Sequence, residues 1–133
     1  MGTQNNTSTD CNAVRIRELN DRLRKTFTGG HICITGGITE RCDTKAILAA
    51  VQAFDAFNDA NDPYREHDFG AIDVGELIKI GKHPPIENQA GVEAPIVFFK
   101  MDYYANGMQE GSSDPTDPAV TERVLTIFLA EEY

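Results

Sequence analysis

The sequence predicts a single α+β domain, a small, mostly antiparallel sheet packed by about three helices. Three observations lead there. Apolar residues recur at intervals of three and four over residues 12–28 and again over 40–58, the period of a helix with one buried stripe. Residues 96–104 alternate instead, as the two faces of a strand do. With 133 residues, the chain has room for one hydrophobic core.

Residues 1–11 are polar and aperiodic, and a disordered tail is expected there, with one domain over 12–133. The first helix carries Ile16, Leu19, Leu23 and Phe27 on its stripe. Asp10 or Asn12 can cap its start, and Gly29-Gly30 can supply a left-handed stop. Arg15, Arg17, Arg22, Arg24 and Lys25, interspersed with Glu18 and Asp21, read as its solvated face. Residues 31–35 are β-branched and apolar, a short strand in which Cys33 is expected to be a small core residue. Gly36-Gly37 breaks the chain before a helix over 40–58, whose stripe is Ile47, Leu48, Val51, Phe54 and Phe57.

Residues 58–67 hold the Asn, Asp and Pro of a loop. Strands are expected over 69–74, 77–80 and 96–104, the first two joined tightly at Gly75-Glu76, with an exposed loop over 82–95. A second polar loop covers 105–117. A closing helix then follows, with Asp117 as cap, Pro118 at its first position and Val120, Val124, Ile127 and Phe128 as its stripe. The expected order is α-β-α-β-β-β-α.

Charge narrows the function classes. Twelve basic against 21 acidic residues give a net charge of −9, which argues against direct nucleic-acid binding and against anionic membranes. The imbalance is local, because residues 1–50 carry +2 and residues 51–133 carry −11. A basic protein surface is the partner such a field attracts. Cys11, Cys33 and Cys42 form no CxxC pair and no zinc spacing, so no metal or other cofactor is expected. The first ten residues lack the basic start and apolar run of a signal peptide, and a reduced, cytoplasmic protein is expected.

No GxSxG, Walker-type loop or GxGxxG is present, so the reading leans away from an enzyme. The conspicuous polar cluster is Glu66-His67-Asp68. A histidine between carboxylates is a candidate general base, with His67 and Asp68 the catalytic candidates and Asp59 and Asp62 able to join them. On an extended chain, however, Glu66 and Asp68 point away from His67. Alternation should likewise put one of Tyr103 and Tyr104 inward and the other outward. Asp114-Pro115 and Asp117-Pro118 read as turn and cap, or with Glu110 as an acidic lip.

Several stretches together resemble a bacterial family known only as a domain of unknown function. They are Arg15-Ile16-Arg17-Glu18-Leu19-Asn20-Asp21 with Leu23-Arg24, the glycines 29–30, Ala53-Phe54, Phe57, Asn61-Asp62-Pro63 and Glu66-His67-Asp68-Phe69-Gly70. Phe99-Lys100-Met101-Asp102-Tyr103-Tyr104, the two Asp-Pro pairs, Val124-Leu125-Thr126-Ile127 and Ala130-Glu131-Glu132-Tyr133 complete the likeness. The direct entry to the second helix and the long 81–95 stretch depart from the family pattern. The resemblance implies an α+β domain found on plasmids and related mobile elements, beside genes that counter host defences.

The resulting expectation is a non-enzymatic inhibitor of a host CRISPR or restriction nuclease. Asp59, Asp62 and Glu66 in one loop, Glu110, Asp114 and Asp117 in another, and Tyr104 would meet the basic groove that otherwise holds nucleic acid. The alternatives are a small metal-dependent hydrolase centred on His67 and Asp68, and a plain interaction or oligomerisation module.

Overall fold

A computed structural model describes residues 3–86 and 93–133 of the chain. Helix α1 spans Thr3–Thr26, starting earlier than the apolar stripe indicated. Ile16 and Leu23, two turns apart, face the core. The left-handed stop falls on Phe27 (φ 57°), two residues before Gly29 (φ 92°). Strand β1 is His31–Ile34.

The single helix expected over 40–58 is two, α2 (Gly36–Arg41) and α3 (Thr44–Ala53). Gly36-Gly37 therefore opens a helix instead of breaking the chain before one. Asp43 makes the break. Its side chain caps α3 by accepting from the Ala46 amide, and its own amide donates to His83 Nε2 at 3.0 Å. Phe54 and Phe57 lie past the end of α3, yet both rings pack edge-on against Phe99.

Strand β2 is Phe69–Asp73. The expected strand over 77–80 is instead part of a short helix, α4 (Val74–Lys79), because the Asp73 carboxylate accepts from the amides of Gly75 and Glu76 and starts a helical turn. Of the loop expected over 82–95, residues 87–92 lie outside the described residues. Strand β3 is Ile96–Tyr104.

The closing helix expected after Asp117 is a strand, β4 (Glu122–Leu129), followed by a 3-10 turn at Ala130–Glu132. Here the cap signal belongs to a turn, since Asp117 Oδ1 accepts from the Ala119 amide at 2.9 Å. From Arg123 to Leu129 every residue but Thr126 is buried, the pattern of a central strand covered on both sides.

The sheet is four-stranded and mixed, in the order β1-β4-β3-β2. Its β2–β3 and β3–β4 pairings are antiparallel, and the β1–β4 pairing is parallel. The α+β class holds, with element order α-β-α-α-β-α-β-β. Ile72, Val97, Phe99, Met101, Leu125, Ile127 and Leu129 on the sheet meet Leu23, Ile38, Ile47, Val51 and Val74 from the helices. Cys33 is exposed, contrary to expectation. On the edge strand β1 the alternation turns Ile32 and Ile34 inward and His31 and Cys33 outward. Among the described residues no helix is long and apolar enough to cross a membrane.

Candidate functional site

Three neighbouring residues of α1 anchor a polar network at one end of the sheet. Asn20 is fully buried. Its Nδ2 donates to the Glu66 carbonyl at 2.9 Å and to the Tyr103 hydroxyl at 2.8 Å. Its Oδ1 accepts from Arg123 Nε at 2.7 Å. The Tyr103 hydroxyl donates in turn to Glu66 Oε1 at 3.2 Å. Arg123, only 2% exposed, also donates to the Pro115 carbonyl and lies 5.0 Å from the Tyr103 ring centre. One asparagine thereby ties the loop over 54–68 and the loop over 105–121 to the same place.

Arg24, read from sequence as solvated, is 1% exposed. It donates to the carbonyls of Val51 at 3.0 Å, beside the Phe54 amide, and of Phe54 at 2.7 Å, anchoring the end of α3. It also pairs with Asp21 at 3.1 Å. Asn20 and Arg24 share the stripe of Ile16, Leu23 and Phe27, at helical spacing. That placement was the available sign that they are interior residues.

His67 takes a left-handed backbone, φ 55°, which breaks the extended alternation assumed for residues 66–68. Its ring stacks on Phe57 with centroids 3.9 Å apart. Nδ1 lies 2.8 Å from Asp21 Oδ1, and Nε2 lies 3.8 Å from Asp62 Oδ2. Asp62 is itself 4% exposed, with Oδ1 accepting from the amides of Glu66 at 2.9 Å and His67 at 3.2 Å. It is the staple of its loop. A cleft of about 250 Å³ opens here between Arg17, Asp59, Arg65 and His67. Among the described residues, no group of three or more His, Cys, Asp or Glu side chains is arranged to hold a metal ion.

Burial, then the nearby charge of Asp68, pushes the Glu66 carboxyl above its ordinary range. Burial likewise raises Asp68, with the charges of Asp62 and Asp102 adding to it, and burial raises the Tyr103 phenol. A carboxyl raised on folding costs stability once it ionises, and that cost is absent below the ordinary value of 4.5. Glu66→Gln keeps the oxygen that accepts from Tyr103 while removing the charge. It is therefore expected to raise stability at pH 7 by roughly 0.5 kcal/mol, allowing for solvent screening. Melting curves should show that gain vanish below pH 4.5; a gain that persists in acid contradicts the charge argument.

The other nominated residues are spread more widely. Asp59 is 94% exposed, and Glu110 and Asp114 are exposed. Hydrogen bonds from the Thr116 side chain and backbone hold the Asp114 carboxyl below its ordinary range. Asp117 and Tyr104 are half-buried. Tyr103 points inward into the network, whereas Tyr104 stands on the opposite face of the sheet across from Glu122.

A family model described as a protein of unknown function, DUF3768, matches residues 34–132. No curated protein and no solved structure matches the chain. Helix α1, which supplies Asn20, Asp21 and Arg24, precedes the matched span.

Proposed function

We propose, for a chain that belongs to the family DUF3768, that it is a non-enzymatic acidic protein which binds a basic protein surface. The proposed partner is a host CRISPR or restriction nuclease in the cytoplasm, and the proposed origin is a plasmid or other mobile element. The observation that supports this reading is the Asn20–Arg123–Pro115 connection, which ties the loop containing Glu66 and the loop containing Pro115 to the same buried network. Exposed carboxylates on these loops, on a chain of net charge −9, favour a Lys- and Arg-rich groove and compete with phosphates for it. Asp59, Glu110 and Asp114 are the contact residues. Asp62 and Glu66 serve them by holding the loop.

The test is competition between the purified protein and DNA for a purified effector complex, at low and high salt. The triple variant Asp59→Lys/Glu110→Lys/Asp114→Lys is expected to lose at least about tenfold in inhibition at low salt. Equal potency of the variant, or inhibition indifferent to salt, would sink the reading.

A second reading rests on the 2.8 Å contact between His67 and Asp21 beside the cleft, an oriented histidine of the kind that serves as a general base. A hydrolytic activity lost in a folded His67→Ala variant is the result it requires.

A further inference from the structure

All four helices pack on one face of the sheet. On the other face, among the described residues, the 3-10 turn meets β3 and Tyr133 packs on Phe98 and Phe128, where Phe128 is 5% exposed. That face is aromatic at its centre. The Phe98 ring lies 5.0 Å from Phe69, 5.8 Å from Phe128 and 6.2 Å from Tyr133. Tyr133 is 85% exposed, and a cleft of about 450 Å³ opens between it, Phe128 and Lys100. Register places Asp102 beside Val124, and Tyr104 beside Glu122, further along the same face. Lys100 on this face pairs with Asp102 at 3.4 Å and lies 5.8 Å from the centre of the Phe128 ring, and His31 at the sheet edge lies 2.6 Å from Glu122.

We infer that this helix-free face docks an arginine-bearing segment of a basic protein. The inference rests on the reading that the chain binds a basic surface, and it moves the centre of that interface from the loops onto the sheet. Charge selects the occupant. Asp102, Glu122 and Glu132 outnumber Lys100 and His31 here, so a phosphate backbone is repelled and a cation is drawn in. A second copy would bring another net charge of −9 against the first. Chemistry then selects arginine over lysine. A planar guanidinium stacks on the exposed Tyr133 ring while its fork engages a neighbouring carboxylate, as an ammonium does not.

The face is also continuous with the acidic loop. Tyr104, at the other end of β3 from Phe98, bridges to Gly111, so the acidic loop carrying Glu110 and Asp114 begins where this face ends.

The experiment titrates the protein with an oligoarginine peptide and an oligolysine peptide of equal length, followed by amide chemical shifts and calorimetry. Oligoarginine is expected to bind about threefold or more tightly than oligolysine, with shifts along β3 and β4. Tyr133→Ala should weaken oligoarginine by a similar factor and leave oligolysine nearly unchanged. Tyr104→Ala provides a second probe should the first variant misfold. Equal affinities with shifts confined to residues 105–117 would overturn the sheet-face site and leave the acidic-lip reading standing. Binding of neither peptide would overturn both. A dimer in light scattering that Tyr133→Ala converts to monomer would assign the face to a second copy and overturn the inference.

Discussion

An Asn20→Leu variant is expected to lose about 3 kcal/mol of stability, although leucine nearly matches the side chain it replaces. Asparagine at this position satisfies the Glu66 carbonyl, the Tyr103 hydroxyl and Arg123 Nε at once, inside the protein. Leucine answers none of them. Burying a polar group without a partner costs about 1–3 kcal/mol, and more where the group is charged. The guanidinium of Arg123, 2% exposed, is the group most affected. Urea denaturation measures the loss. A change below about 1 kcal/mol would mean that water or rearranged neighbours take over these bonds. The variant also loosens both acidic loops, so any inhibition under the proposed function should fall along with its stability.

Gly70→Ala is the second large effect, expected to cost about 2–3 kcal/mol. A methyl group built on Gly70 would stand 2.3 Å from the Phe99 ring and 2.8 Å from the Phe54 ring. Phe99 is fully buried at the centre of the core and has no free direction in which to retreat. The position pairs with Phe99 across β2 and β3, so the lack of a side chain on one strand makes room for the ring on the other. Thermal unfolding should show the decrease, and pairing the substitution with Phe99→Leu should recover part of it. No recovery would place the clash elsewhere, in the backbone of β2.

The parts of this fold that were readable from sequence are those where one local signal stands alone. The alternation of β3 and the apolar stripe of α1 are such cases. β4 was misread because two signals competed over residues 117–129. Asp117-Pro118 has the chemistry of a helix start, whereas Val124, Thr126 and Ile127 favour a strand. Partners on both edges, β1 and β3, take up its backbone hydrogen bonds, and because Val124 and Phe128 on one face are buried along with Leu125 and Ile127 on the other, no alternation shows in the sequence. The misreading of α4 has the same origin, a short apolar run whose type rested on the Asp73 cap. At the site, His67 stood out because histidine beside carboxylates is conspicuous. Asn20, Arg24 and Arg123 did not, because polar residues on an apolar stripe look like exceptions until their buried acceptors are known.

The sheet order carries a consequence for synthesis of the chain. β4 joins β1 to β3, and it pairs Val124 with His31 across most of the sequence. As the chain leaves the ribosome, β2 and β3 can form their hairpin-like pair early, while β1 has nothing to bond. The inner faces of Ile32, Phe99 and Met101 then wait, uncovered, for the last strand. Contacts so distant in sequence slow folding, and an unpaired edge with apolar residues invites association with other chains. Nascent chains stalled before residue 122 should therefore be held by chaperones or cleared by proteases. Those that have released β4 can close the sheet around it in a single step.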